Sequence, residues 1–532
     1  MRFFNTAGPV NCADHYCLPP LGRVNLHEIL TLIAQKKYFV LHAPRQVGKT
    51  SLLLALRDHL NATGRYRCLY INVESAQAAR EDVRAAMRVI LAELMLWESI
   101  TLQDHFFLDN ANDILARYGE FSVLDVALTL WAGREPARPA VLLIDEIDAL
   151  VGDTLISVLR QLRSGYAKRP AAFPQSVILC GVRDVRDYRI HSEQEKTIIT
   201  GGSAFNIKAA SLRLGDFSQA EMQTLYQQHT TETGQPFTPE ALALAWDLTQ
   251  GQPWLVNALG YETCFQMPDT RDRDQPITAE LILEAKEAII LRRETHLDQL
   301  TDKLKEPRVR RVIEPILVGE VFGKQFRADD VQYVVDLGLV RQDRTGALQL
   351  ANRIYQEVIP RELTWDAQTG MTLVAAWYIL PDGRLEVDKL IAAFQSFFRE
   401  HSEHWVERFD YKEAGPQLLL QAFLQRIVNG GGRIEREYGL GHGRTDLLIL
   451  WPYGEAEPRP VQKVVVETKL RHKSLETTIA EGSQQTWEYM DRCAAEAGHL
   501  VIFDRTPDRT WDEKIFRRIE RYQDRPITVW GM

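Results

Sequence analysis

Three places in the chain carry residue types and spacings that could act on phosphate. The first runs Ala43, Pro44, Arg45, Gln46, Val47, Gly48, Lys49, Thr50, Ser51, after a short apolar stretch and ahead of an amphipathic helical pattern. Backbone N–H groups at a helix N-terminus point at an anion, and the helix dipole favours it there. Lys49 would reach the β- and γ-phosphates of a nucleoside triphosphate, and the Thr50 hydroxyl would hold Mg²⁺. Ala43 stands where the phosphate-loop pattern has its first glycine, which a backbone at negative φ tolerates. The second place is the pair Asp145-Glu146, which ends the apolar run Val141 to Ile144. An acidic pair at the carboxyl end of a parallel strand sits where such sheets bind ligands. Asp145 would hold Mg²⁺ mostly through water, and Glu146 would polarise an attacking water.

The third place is "KVVVETKLRH", residues 463–472, where three valines in a row lead into Glu467, Thr468 and Lys469. Alternate strand residues share a face, so Glu467 and Lys469 point one way and Thr468 the other. With Asp446 on the neighbouring strand, two carboxylates and one amine converge. Close carboxylates repel and raise one another's pKa unless a cation lies between them. Mg²⁺ or Mn²⁺ suits such hard oxygen ligands, with the Thr468 carbonyl as a further candidate. The ion would acidify a bound water and neutralise charge on a phosphodiester, and Lys469 would orient that water or stabilise the transition state. The other reading is an exposed strand with both charges in water, which the three valines make less natural.

These residues need a scaffold. Strand-like runs at 67–74, 176–184 and 204–214 alternate with helical patterns, the signature of an α/β sheet with crossover helices. Arg183 and Arg186 lie just past one of those runs and would sense a γ-phosphate or serve a neighbouring subunit; a surface salt bridge is an equal reading. Ser218 and Glu221 form a capping-box pattern that opens a helical lid over about 216–290. From 291 to 365 a helical stretch up to Gly338 precedes two short strands around Thr345-Gly346, the end of a winged helix-turn-helix. From 366 onward a helix stopped by Gly430 to Gly432 precedes three strands, "RIEREYGL", "GRTDLLILW" and "PVQKVVVETKL".

A chain of 532 residues, 45% hydrophobic and 25% charged, has the balance of a soluble protein of about three or four domains. A formal net charge of −9 excludes a polycation, so any nucleic-acid surface must be a local patch. Two patches offer themselves: Lys463, Lys469, Arg471, His472 and Lys473, and the run Arg517, Arg518, Arg521 and Arg525, with Trp487, Tyr489 and Trp511 as stacking partners. A solvated helix face is the other reading of the arginine run. The first residues lack a secretion-signal pattern, and no apolar run reaches the roughly 20 residues that span a bilayer. The expectation is a cytoplasmic protein with no membrane partner. Six irregularly spaced cysteines argue against a disulfide framework. Cys12, His15 and Cys17 cluster, but zinc takes four ligands and no partner pair is near, so they read as a structural loop.

Residues 1 to about 290 resemble an AAA+/STAND-type P-loop ATPase, on "APRQVGKTS", "VLLIDEID", "ILCGVRD" and "TQGQPWLVNALG". The resemblance implies ATP and Mg²⁺ as cofactors. It also implies a lid whose Gly-x-Pro signature, Gly251 and Pro253, lies against the base, and a winged helix that in relatives binds DNA or packs on the ATPase. The C-terminal region resembles the PD-(D/E)XK nucleases, on Asp446 and Glu467-Thr468-Lys469, with Thr445 where the motif's name has proline. That resemblance implies a further metal-binding acid at Glu413. It also implies a RecB-type pair, Gln485 and Tyr489, which share a helical face beside the cleft. The whole reads as four domains: an α/β P-loop ATPase core (1–215), helical lid (216–290), winged helix (291–365) and restriction-endonuclease-like α/β domain (366–532). The expected function is ATP hydrolysis coupled to metal-dependent cleavage of DNA, in a chain that forms a homo-oligomer, with genome defence or mobile-element biology as the setting by analogy. The alternative is a STAND-like signalling or DNA-loading ATPase whose last domain binds DNA or protein without cutting.

Overall fold

A strand covered on both faces must be apolar throughout. Tyr38–His42 (β1), Arg67–Asn72 (β2), Ala140–Asp145 (β3) and Ser176–Gly181 (β4) meet that demand, with almost every residue buried. The structure, a computed structural model, describes the chain except residues 185–188, 193–196, 201–204, 293–294, 318–325, 343–345, 364–377, 407–414, 429–431, 439–444, 455–458, 505 and 507–508. The chain forms two compact units, Met1–Arg292 with Asp336–Gly338, and Arg293–Val335 with Leu339–Met532.

In the first unit, Arg189–Ser192 (β5) and Thr197–Thr200 (β6) form an antiparallel hairpin, and Lys208–Arg213 (β7) joins β1. The five-stranded sheet runs β2-β3-β4-β1-β7, all parallel. One face packs on the helices Val83–Leu102, Val123–Gly133 and Gly152–Ser164, the other on Leu26–Ala34 and Lys49–Ala62. The strand that leads into the phosphate-binding pattern, β1, and the one ending in Asp145, β3, are not neighbours, because β4 lies between them. Helices Gln219–Thr233, Pro239–Thr249, Pro253–Tyr261 and Ala279–Leu291 follow, the first opened by the expected capping box of Ser218 and Glu221. Cys12 and Cys17 are joined as a disulfide, with Cα atoms 5.1 Å apart. This corrects the expectation of a plain thiol-bearing loop: the intervening turn, with Asp14 and His15 N–H groups both donating to the Asn11 carbonyl, folds the two sulfurs together.

The second unit begins with helices Thr295–Leu304, Pro307–Leu317 and Ala328–Asp336, then an antiparallel pair, Val340–Gln342 (β8) and Leu348–Leu350 (β9), and the helix Arg353–Leu363. Its large sheet comprises Arg433–Tyr438 (β10), Thr445–Pro452 (β11), Val461–Leu470 (β12), Ala497–Phe503 (β13), Phe516–Tyr522 (β14) and Arg525–Gly531 (β15), in the order β10-β11-β12-β13-β15-β14. Val464 and Val466 enter the core under helices Val387–Val406 and Gly415–Val428. Val465 enters the other core, under the helix Leu475–Cys493. Alternation therefore puts Glu467 and Lys469 on the side of that last helix. Of the arginine run, Arg517, Arg518 and Arg521 lie on the edge strand β14, whose residues alternate between half-buried and exposed, and Arg525 opens β15, so the helix-face reading of the run does not hold. Among the described residues no helix is long and apolar enough to cross a membrane.

The helix Leu475–Cys493 lies so close to the sheet that two contacts exclude a side chain. A Cβ at Gly498 would lie 2.3 Å from Met490 Sδ and 2.8 Å from Thr486 Cγ2, and one at Gly482 would lie 2.7 Å from the Leu500 methyls. Gly498→Ala should therefore destabilise the second unit by about 1–3 kcal/mol, the usual cost of overpacking. Urea unfolding of the full chain checks it, and a midpoint equal to wild type would show that the helix can lift off.

Candidate functional site

β1 is hydrogen-bonded on both sides, so the chain must leave its carboxyl end in a loop. Gln46 (φ 58°) and Gly48 (φ 98°) take left-handed conformations and swing that loop into the N-terminus of the helix Lys49–Ala62. Ala43, in the place of a glycine, is fully buried, is not among the positive-φ residues, and donates its N–H to the Gly181 carbonyl at 3.2 Å. Its methyl is therefore accommodated. Arg45 is exposed, Pro44 is half-buried and Val47 is buried in the core. Lys49 is buried, and its Nζ donates to the Ala43 carbonyl at 3.1 Å and the Pro44 carbonyl at 3.0 Å. Thr50 Oγ1 donates to Asp145 Oδ2 at 2.7 Å, which unites the first two sequence stretches. Ser51 Oγ accepts from Val10 N–H at 3.0 Å, so it ties down the N-terminal segment.

Asp145 is fully buried at the end of β3. Besides Thr50 it accepts from the Tyr70 hydroxyl at 3.1 Å on Oδ2, and its Oδ1 accepts from Glu146 N–H at 3.0 Å. Glu146 has φ 54°, a conformation that costs a non-glycine residue of order 1–2 kcal/mol and turns up at functional sites. Burial pushes the Glu146 carboxyl up to about 7; Lys49 pulls the other way, and Asp148, Asp145 and Glu74 add to the rise. A carboxylate poised near neutrality can take a proton from water.

Lys49, Thr50 and Glu146 line one cavity of about 900 Å³, with Pro253 and Trp254 across it. Gly251 (φ 79°) lets the turn before Pro253 approach so closely that a Cβ there would lie 2.0 Å from the Phe217 carbonyl. Trp254 Nε1 donates to the Thr6 carbonyl at 2.9 Å, which draws the N-terminal segment over the cavity. Sequence reasoning missed Arg23, Tyr70 and Trp254. Arg23 donates to the Val47 carbonyl at 2.5 Å and the Gly215 carbonyl at 2.7 Å, and its guanidinium lies 4.6 Å from the Phe217 ring centre. Burial lowers its pKa to about 10. No local pattern marks these three, since each partner is remote in sequence; Trp254 alone stood inside a quoted motif. Arg183 is largely buried, with Nε 3.3 Å from an Asp336 carboxylate oxygen, so the salt-bridge reading describes its geometry. Arg186 lies outside the described residues.

In the second unit, β11 and β12 pair with Asp446 directly opposite Glu467. Directly opposed positions share a sheet face. Glu467 is fully buried, and Lys469 Nζ lies 2.6 Å from its Oε1. Thr468 is buried on the other face. The backbone at Asp446 is described and its side chain is not, and Glu413 lies outside the described residues. Among the described residues, no three His, Cys, Asp or Glu side chains cluster as a metal site would. Gln485 and Tyr489 sit on the helix that covers this sheet face. Among the described residues, the buried Gln485 Oε1 meets no hydrogen-bond donor. Tyr489 is buried in the core beneath the helix, packed with Val465 and Leu500, which corrects its expected role as a surface stacking partner. Trp511 likewise packs on Phe398, and Trp487 lies 5.8 Å from the Tyr522 ring.

The expected phosphate-tracking patches are largely neutralised. Arg471 lies against Asp504, Lys473 against Glu481, Arg517 against Asp388 and Arg518 against Glu476. In the Pro307–Leu317 helix, Arg308, Arg310 and Arg311 each face an acid as well. Interleaved charges on neighbouring elements find each other before a polyanion arrives.

No family model matches the sequence, and no curated protein does. Similar solved structures include a Walker-type ATPase of Pyrococcus abyssi, 13% identical, covering 67% of this chain and 99% of that one, with a TM-score of 0.46. The Orc1 protein of Aeropyrum pernix in complex with DNA is 13% identical, covering 68% of this chain and 94% of that one, with a TM-score of 0.34. The RuvB Holliday junction branch migration motor of Thermotoga maritima is 12% identical, covering 62% and 93%, with a TM-score of 0.32. At such scores these likenesses carry no inference about chemistry, which rests on the geometry of this chain.

The raised Glu146 pKa has a consequence for stability. The folded chain holds this proton up to about pH 7, whereas the ordinary value is 4.5. The contribution is fully present below the ordinary value and is lost as pH rises through about 7. Glu146→Gln, which cannot ionise, should therefore unfold at higher urea than wild type at about pH 8 and match it at about pH 4. Equal midpoints at both would place the Glu146 carboxyl in water.

Proposed function

We propose that the first unit binds ATP with Mg²⁺ and hydrolyses it. The observation that carries this is the 2.7 Å hydrogen bond from Thr50 Oγ1 to Asp145 Oδ2, which joins the first turn of the helix after β1 to the end of β3, beside Lys49 and Glu146. A hydroxyl and a carboxylate are the hard oxygen donors that suit Mg²⁺, so the residues fit the ion. When bound, Mg²⁺ would neutralise charge between the β- and γ-phosphate oxygens. Lys49 would exchange its two carbonyl acceptors for phosphate oxygens. The first N–H groups of the helix Lys49–Ala62, which have no partner inside the helix, would face the phosphates. Glu146 would accept the proton of the attacking water. Pro253 and Trp254, with the N-terminal segment, would enclose the base, and Arg183 would act on the γ-phosphate only by leaving Asp336. The elements over 216–290 act as the lid and those over 291–365 as a winged helix.

A second reading concerns the region from 366. Its support is the register that sets Asp446 opposite Glu467, with Lys469 on the same face. We infer a divalent-metal site that cleaves DNA, with Glu467, Asp446 and Glu413 supplying carboxylate oxygens to Mg²⁺ or Mn²⁺. Lys469 would steady the attacking water or the phosphate, and Gln485 would border the cleft. Bound metal would supply the acidified water. The nucleotide state would gate this site in a homo-oligomer, in a cytoplasmic setting.

Lys49→Ala should abolish nucleotide binding in a fluorescent-nucleotide titration. Glu146→Gln should still bind ATP but lose about 100-fold or more in kcat. Wild-type kcat/KM should rise with pH through about 7 and the variant should lack that limb. Normal turnover by Glu146→Gln would remove it from the water-activating role. In a second assay, Mn²⁺-dependent cleavage of DNA should disappear separately in Asp446→Ala, Glu467→Ala and Lys469→Ala while ATP hydrolysis persists. DNA left intact by wild type in every metal and nucleotide condition would leave a last domain that binds without cutting.

A further inference from the structure

Tyr70 is buried in β2, two residues before Asn72, which pairs with Asp145 across the sheet. Its hydroxyl crosses to β3 and donates to Asp145 Oδ2 at 3.1 Å, the oxygen that Thr50 also reaches at 2.7 Å. Its ring is held in turn. Trp97, on the helix Val83–Leu102, packs edge-on against it with centroids 4.8 Å apart. The Trp97 Nε1 donates to Glu93 Oε2 at 3.2 Å, and Ser75 Oγ donates to Glu93 Oε1 at 3.3 Å. A chain of contacts therefore runs from a surface carboxylate through two aromatic rings to the buried one. Tyr70, Trp97 and Glu93 all line the cavity that holds Lys49 and Thr50.

A carboxylate offers about four lone-pair sites. Two donors already converge on Oδ2, and Oδ1 accepts from Glu146 N–H. We infer that Tyr70 is a positioning residue of the metal–nucleotide site: its hydroxyl fixes the rotation of the Asp145 carboxylate, so that Oδ1 is the oxygen with capacity left to hold the ion or its water. Groups that orient ligands in this way set metal affinity without touching the metal. The inference rests on the ATPase reading of the first unit and adds to it a residue that no phosphate-binding pattern contains.

Tyr70→Phe removes the hydroxyl and leaves the ring. In the full chain, binding of a non-hydrolysable ATP analogue in the presence of EDTA should stay within about twofold of wild type. Mn²⁺ affinity of the analogue complex, read by electron paramagnetic resonance, should fall by about 10–100-fold. A purely structural loss would shift the unfolding midpoint and both affinities together. Unchanged Mn²⁺ affinity in Tyr70→Phe, against a wild type that binds metal and nucleotide together, would overturn the positioning role. A wild type whose nucleotide binding ignores metal would instead bring down the ATPase reading and this inference with it.

Discussion

The first unit is organised around one buried negative charge. Asp145 is out of contact with water, and a carboxylate so placed costs several kcal/mol unless it is paired or hydrogen-bonded. Among the described residues, the Thr50 hydroxyl, the Tyr70 hydroxyl and the Glu146 N–H donate to it. They come from the phosphate-loop helix, from β2 and from the turn after β3. Satisfying the carboxylate thus forces three separate chain segments into one register.

The second unit meets a related problem differently. Glu467 is also fully buried, on a central strand, and the ammonium of Lys469, two residues on, lies 2.6 Å from its Oε1. An ion pair between neighbours on one strand face needs no long-range assembly.

The N-terminal segment packs on the helices that follow the five-stranded sheet. Phe4 packs against Tyr16, Tyr226 and Phe265, Arg2 pairs with Glu232, and Gln228 exchanges hydrogen bonds with the backbone of Cys17. The segment reaches the phosphate loop through the Val10 to Ser51 bond. The chain's first residues therefore pack on these helices and line one side of the cavity that Lys49 and Thr50 also line.

Local patterns were legible in the residues. The turn chemistry around Gly48, the acidic end of an all-apolar strand, the capping box at Ser218 and the alternation through Glu467-Thr468-Lys469 each depend on neighbours within a few positions. Sequence spacing alone therefore determines them. Which strand lies beside which, and what a buried polar atom finds across the sheet, was settled only by tertiary packing. Arg23 and Tyr70 escaped notice because their partners are tens to hundreds of residues away, and Tyr489 fell inside the core because helix spacing names a face without saying what the face meets. The basic runs read as open patches because their neutralising acids sit on other elements. Short-range geometry is written in the covalent order, whereas the pairing of distant charges exists only after hydrophobic burial has chosen which surfaces touch.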